Sequence, residues 1–490
     1  MSAATVVQPT SLATRRGKLI LLLLCAVALL DFIDASIVNV ALPSIRRDLG
    51  FSVQSLQWVL SGYLLTYGGF MLLGGRAADL LGRRRMLVAG TSLFALSSLT
   101  GGLAGSEAML VGARLTQGMG AAMMIPAALS ILTTTFTEGR ERHTAIGAWG
   151  ATAGLGSAAG VFLGGVIAQG AGWRWVFFVN LPVCAAVLVG IFRLISGERR
   201  RASLANFDSA GAVLATAGML ALVYTLVEAP DVGWTDARSI GGLAVAVALL
   251  AMFTINELRH PNPLFPFSIL RIRGLAAADV TQVIAMAGFY SMFFFVTLYM
   301  QNVLGYSQIE AGSAYVPVTL GVGLSSGIAS QLFARTGTRP IIVGGALISA
   351  GAVFWLSHIP VHGSYLSDLL PPLMIMSFGL GAVFVGVTTA ANAGVPPDKA
   401  GLAAALLNTS TWLGAALGLA IFSAISTSRA HDLLTSGAPL HEALTGGFQR
   451  ALLACSIFLL AAAVIALRAM NTRGEPQLAL GEPVLEPARP

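Results

Sequence analysis

Long apolar runs separated by short polar or basic turns occupy most of this chain, and each is near the 20 or so residues a helix needs to cross the hydrocarbon core of a bilayer. Read to their bounding charges, glycines and prolines, they predict helices over 19–43, 54–74, 86–105, 108–136, 144–168 and 175–195. Two more follow over 208–229 and 239–257, then six over 275–302, 311–333, 340–359, 368–393, 400–427 and 447–469. An even number of crossings places both termini on one side. Fourteen spans use roughly 280 residues, so no large soluble domain fits.

Composition agrees. Of 490 residues 56% are hydrophobic and 10% charged, whereas a soluble domain carries about 25% charged residues and a disordered chain needs low hydrophobicity. The fold class is an all-α polytopic membrane protein. The 29 basic and 22 acidic residues give +7, and the basic ones are sorted by side. Twenty-two fall with the termini, Arg83 to Arg85 and Arg199 to Arg201 among them. Arg46, Arg47, Arg174, Arg238, Arg429 and Arg450 fall opposite, and Arg114 lies within a span. Positive loops stay in the cytoplasm during insertion, which puts both termini there. Arginines spread over short loops give nucleic acid no single face to bind. Arg15, Arg16 and Lys18 before LILLLLCAVALL resemble a signal peptide, but no small-residue cleavage site precedes Pro43, so this is a retained first span. Cys25, Cys184 and Cys455 each stand alone in an apolar run, which suggests neither disulfides nor a metal site.

The chain repeats itself. GFS at Gly50 to Ser52 returns as GYS at Gly305 to Ser307, and LGRRRMLVAG from Leu81 is echoed by TGTRPIIVGG from Thr336, both at an offset of 255. Two matches at one spacing indicate duplicated six-helix halves, with the hairpin over 208–257 inserted between them. The organisation expected is a first half over 1–200, an inserted two-helix hairpin over 201–260, a second half over 261–473 and a cytoplasmic tail over 474–490.

GRAADLLGRRR at Gly75 to Arg85 resembles the loop signature of the major facilitator superfamily. LLDFIDASIVNVALP in the first span and RLTQGMGAAMMIP in the fourth are similar to motifs of its 14-span drug:proton antiporter branch. So are GVFLGGVIAQGAGWRWVFFVNLP in the fifth span and AGLAAALLNTSTWLGAALG in the thirteenth, and the likeness covers nearly the whole chain. It implies two six-helix halves plus two inserted helices, with Gly75, Asp79, Gly82, Arg83 and Arg84 as a cytoplasmic gate. The gate anion, Asp79, would face the N-terminal end of the thirteenth span, and Asp398 would meet an arginine of the turn. The likeness also gives Arg114 a part in proton transfer and makes Asp34 the first-span aspartate. Two positions depart from the pattern. Leu80 stands where a basic residue usually follows the aspartate, which weakens one gate contact. Val161 stands where proline usually follows Gly160, so the fifth span should be straighter, with a hinge relying on Gly154, Gly156, Gly160, Gly164 and Gly165.

Asp31 and Asp34 lie three residues apart on one helix face, at a depth where charge is costly unless solvated or paired. Asp34 sits roughly 13 Å from Pro43, and Arg114 roughly 10 Å from Glu107, so similar depth predicts an ion pair. Asp31 lies deeper without such compensation, and a carboxylate so placed trades a proton for a cation. The plainer alternative is that Asp34 and Arg114 only lock two helices while Asp31 faces a water-filled vestibule. On the functional reading these acids are not sealed from an aqueous path between the halves. Asp279 either lines the cavity from the opposite half or meets Arg271 and Arg273 at the cytoplasmic surface. Trp58, Tyr63, Tyr67, Phe289, Tyr290, Phe293 and Phe294 are candidates for a soft apolar wall, with lipid contact or helix packing as the alternative.

The expected activity is proton-coupled export of lipophilic, cationic drugs or toxic compounds across the bacterial plasma membrane by a monomer. Protons are the coupling ion; no cofactor, metal or nucleic acid takes part. No GxxxxGK[ST] sequence supports an ATP-driven pump. The six histidines lie in loops or at helix ends, which argues against an enzyme. A channel fits duplicated halves with buried acids less well than alternating access. The alternative of the same fold is a dedicated exporter of an endogenous metabolite or amphiphilic lipid.

Overall fold

Helix ends form where the sequence supplies partners for free backbone groups. The computed structural model describes residues 11–52, 55–136, 140–195, 208–261, 263, 267–272, 274–393, 395 and 400–472. The Thr14 hydroxyl accepts from the Gly17 N–H at 3.0 Å and opens α1 (Arg15–Leu49). Ser106 caps α4 (Glu107–Thr135) in the same way. Gly82, at φ +103°, forms the junction between α2 (Trp58–Leu81) and α3 (Arg83–Gly102), a conformation only glycine adopts without strain.

With α5 (Arg140–Gly170), α6 (Trp175–Phe178) and α7 (Asn180–Leu194), these helices pack into one bundle. The helices α8 (Ser209–Val232) and α9 (Ala237–Arg259) form a hairpin whose α8 lies against α2 and α15. A second bundle holds α10 (Leu275–Asn302), α11 (Gln308–Ser313), α12 (Val316–Thr336), α13 (Thr338–Leu356), α14 (Leu370–Asn392), α15 (Ala400–Thr435) and α16 (Leu440–Ala466). All regular structure among the described residues is helical, and eleven of those helices are long and apolar enough to cross a membrane.

Several boundaries differ from the sequence reading for identifiable reasons. Pro43 does not end the first helix; it sits inside α1, which runs on to Leu49. The stretch at 311–333 breaks after Ser313 because Pro317, lacking an N–H, suits the first turn of a new helix. A π-helical turn at Tyr365–Leu369 precedes α14, and α15 continues past 427 through polar residues to Thr435.

Glycines set the closest approaches. A Cβ on Gly156 would lie 2.7 Å from the Phe32 Cβ, and on Gly160 or Gly164 it would lie 2.7 Å from the carbonyl oxygen of Ile33 or Ile37. The spacing of four on α5 matches that on α1, so the two helices run side by side at backbone distance, as small residues at this interval allow. The helix α5 is continuous from 140 to 170.

The bundles meet at the end away from the termini. Gln301 Nε2 donates to the Val40 carbonyl at 3.1 Å, Ile309 N–H to Gln169 Oε1 at 3.3 Å, and Gln308 bonds Ser44. A Cβ on Gly165 would stand 2.7 Å from the Gln308 carbonyl oxygen, and one on Gly312 2.8 Å from that of Val161. Val161, in place of the motif proline, therefore lies in this seam.

Candidate functional site

The two acids of α1 have different surroundings, both closed. Asp34 is 0% exposed and accepts three bonds: from Arg114 Nη1 at 2.7 Å, Gln117 Nε2 at 2.8 Å and Asn180 Nδ2 at 2.7 Å. The predicted Asp34–Arg114 pair is thus present. The same Nη1 also reaches Gln117 Oε1 at 2.6 Å, Arg114 Nε donates to the Val59 carbonyl at 2.8 Å, and the guanidinium lies 4.2 Å over the Tyr63 ring. Ser98 accepts from Gln117 at 2.9 Å, joining α3 to the network. Opposite charges and multiple donors offset the desolvation that a lone buried ion would suffer.

Asp31 has no cation within hydrogen-bonding distance. Tyr63 donates to its Oδ1 at 2.6 Å and Tyr67 to its Oδ2 at 2.8 Å, both from α2. The Tyr67 ring stacks on Trp412 of α15, centroids 4.6 Å apart, and Tyr290 of α10 packs on the other side of Trp412 at 5.9 Å. The second bundle therefore reaches within one side chain of Asp31. With Asp31 1% exposed, the expected open aqueous path to the first-helix acids is absent in this conformation: two phenols and an indole stand in it.

The predicted apolar wall divides. Tyr63 belongs to the acid network, and Tyr67 and Tyr290 flank Trp412. Phe289, 2% exposed, and Phe294 pack in the helix core instead of lining a cavity. Phe293 packs on Tyr315 at 5.4 Å, and Trp58 on Tyr224 of the hairpin at 6.3 Å. The surface pairing expected for Asp279 with Arg271 is replaced by burial: it accepts from Ser410 at 3.5 Å and is 5% exposed, while Arg273 lies outside the described residues.

At the turn between α2 and α3, Arg83 Nη1 donates to Thr134 at 2.8 Å, and Arg84 donates to the Phe192 carbonyl at 3.4 Å with its guanidinium 5.4 Å over the Phe192 ring. These partners all belong to the first bundle. Gly75 would tolerate a Cβ, the nearest atom being Pro126 Cβ at 3.6 Å, so space alone does not demand glycine there. The Asp79 side chain and Asp398 lie outside the described residues, and so do the linker before α8 and the C-terminal tail. Of the five expected hinge glycines, Gly156, Gly160 and Gly164 face α1, Gly165 faces α11, and Gly154 lies within the continuous α5.

Sequence reading missed Gln117, Asn180, Ser98 and Trp412. Gln117 carried a signal, one turn beyond Arg114, and so did Asn180, a lone amide in VFFVNLP; Trp412 carried none. No group of three metal-ligating side chains occurs among the described residues.

The family profile of the Major Facilitator Superfamily matches residues 24–419. The chain is 36% identical to the puromycin resistance protein pur8 of Streptomyces alboniger, over 96% of this chain and 94% of that protein. It is 38% identical to the cephamycin export protein CmcT of Amycolatopsis lactamdurans, over 91% of each. The crystal structure of the POT family transporter PepTSo aligns with a TM-score of 0.67 at 16% identity, covering 92% of this chain and 97% of that one. The chain is a multi-pass membrane transporter, not an enzyme, and belongs to the Major Facilitator Superfamily.

Proposed function

We propose that this transporter is a proton-coupled antiporter that exports lipophilic, cationic compounds outward across the bacterial plasma membrane. One observation carries the reading: Asp31 is held by neutral phenols alone, and one of those phenols stacks on the opposite bundle. Asp34 already has Arg114, so the negative charge free to take a proton or a cation is on Asp31. A proton from outside neutralises Asp31, and release of that proton inward restores a carboxylate that attracts cationic cargo. Exchange takes place when the Tyr67–Trp412 contact parts and admits water.

The remaining features fit this cycle. Taking α6 with α7 and α11 with α12 as single crossings gives fourteen spans, arranged as two six-helix halves with α8 and α9 inserted, in a monomer with both termini cytoplasmic. The closed seam near Ser44 and Gln308 then lies outside and the conformer faces inward. Arg83 and Arg84, bonded within their own bundle, are the gate in its released state, which Asp79 re-forms against the start of α15. Gly156, Gly160 and Gly164 let α5 roll on α1 as the halves rock.

A second reading has its own support: relatives named for puromycin, cephamycin and tetracenomycin suggest a transporter dedicated to one antibiotic. A deletion strain sensitised to unrelated dyes favours the broad reading, and one sensitised to a single compound the narrow one. The decisive test is counterflow of a fluorescent lipophilic cation in vesicles with an imposed pH difference. Asp31→Asn should abolish gradient-driven accumulation while downhill flux persists; unchanged accumulation refutes the coupling role.

A further inference from the structure

The second bundle holds a buried acid that exchange at Asp31 does not use. Asp279 lies about 6 Å into α10 from Leu275, at the end near the termini. Its Oδ1 accepts from Ser410 at 3.5 Å, and its Oδ2 has no partner. Gln282, 1% exposed and one turn on, donates through Nε2 to Thr411 at 2.9 Å, and its Oε1 has no partner either. Two buried acceptors, one a carboxyl, thus lack donors on adjacent turns of one helix, an arrangement that is costly unless something supplies them.

The surroundings do not close onto these atoms. Gly414 and Gly418 of α15 bring its backbone directly against Val283 and Ala287, so the α10–α15 crossing is fixed by backbone contact and leaves Asp279 and Gln282 at its mouth. Along α10, Asp279 and Tyr290 are eleven residues apart, about 16 Å of rise and nearly the same face. Tyr290 packs on Trp412 at 5.9 Å, and Trp412 on Tyr67, which holds Asp31. The acid at the mouth and the acid at depth therefore lie along one aromatic track.

We infer that Asp279 and Gln282 form an entry site for the N–H-bearing ammonium group of cargo, a protonated primary or secondary amine. An acid and an amide oxygen side by side require a donor with positive charge. A quaternary ammonium supplies the charge but no N–H, and leaves both acceptors unmet. This rests on the export of cations proposed above and adds the chemical class selected.

Binding without a gradient tests it separately from coupling. The detergent-purified transporter is titrated with one fluorophore carrying either a primary amine or a trimethylammonium group. Wild type should prefer the amine by on the order of tenfold, the worth of a charge-assisted hydrogen bond. Asp279→Asn and Gln282→Ala, checked for monodisperse elution, should each remove most of that preference with little change for the quaternary probe. Asp31→Asn should keep it, so failure of proton coupling does not touch the result. Absence of a preference in wild type, or its survival in both variants, overturns the inference. So does loss of gradient-driven transport of both probes in Asp279→Asn with the preference intact, which would make Asp279 a proton carrier instead.

Discussion

Gly165→Ala tests the seam directly. The added Cβ would stand 2.7 Å from the Gln308 carbonyl oxygen and 2.9 Å from the Ile309 Cα, both backbone atoms of α11 in the other bundle. Neither is the end of a flexible side chain, so relief requires α5 and α11 to separate. Overpacking of this kind costs about 1–3 kcal/mol. Alanine's gain in helix propensity is common to both conformations and cancels, so the cost falls on the closed seam alone. At about 1.4 kcal/mol per tenfold, the closed-to-open ratio falls by roughly 5- to 150-fold. Ser44 and Gln308, hydrogen-bonded across the same seam, report the change. With Cys25, Cys184 and Cys455 replaced, Ser44→Cys and Gln308→Cys should crosslink rapidly with a short bifunctional thiol reagent, and adding Gly165→Ala should slow the reaction in proportion. Gly160→Ala is the control: its Cβ would meet Ile33 and Ser36 within one bundle, so it should lower the thermal midpoint and leave crosslinking unchanged. Wild-type crosslinking in Gly165→Ala would refute the claim that backbone contact at this point holds the seam.

Three other outcomes are expected. Arg114→Met strands the Asp34 carboxylate at 0% exposure with only neutral donors, which should destabilise the protein by about 3–5 kcal/mol, read by thermal unfolding in detergent, and adding Asp34→Asn should recover part of the loss. Trp412→Ala removes the shared face of Tyr67 and Tyr290 and should weaken binding of a lipophilic cation about tenfold, while Trp412→Phe keeps most of it, as measured by fluorescence titration. Asp79→Asn should impair vesicle transport while membrane insertion stays normal; lost insertion would count against a gate.

How much of this was legible depends on the range of the interaction. The all-helical membrane fold follows from run length, and the Asp34–Arg114 pair follows from helix rise, even though α1 ends at Leu49 and not Pro43. That error moved the end of the helix without moving one acid relative to the other, so the pairing survived it. The glycines of α5 were visible, but their spacing of four suits a hinge or a packing face equally, and only the matching interval of Leu29, Ile33 and Ile37 on α1 decides between them. Trp412 was out of reach because no local pattern indicates which ring of α15 meets α2.

The Tyr67–Trp412 contact also decides what the site does. A phenol that serves as donor to Asp31 and as stacking partner for α15 cannot follow one role without disturbing the other. If the bundles part and the ring moves with Trp412, Asp31 keeps a single donor, Tyr63, and water becomes the replacement. If the ring stays with Asp31, the stack is lost and the seam loses about 0.5–1.5 kcal/mol of aromatic contact. Either way, hydration of the acid and separation of the bundles are linked through one side chain, which is the link that exchange of a proton for cargo requires.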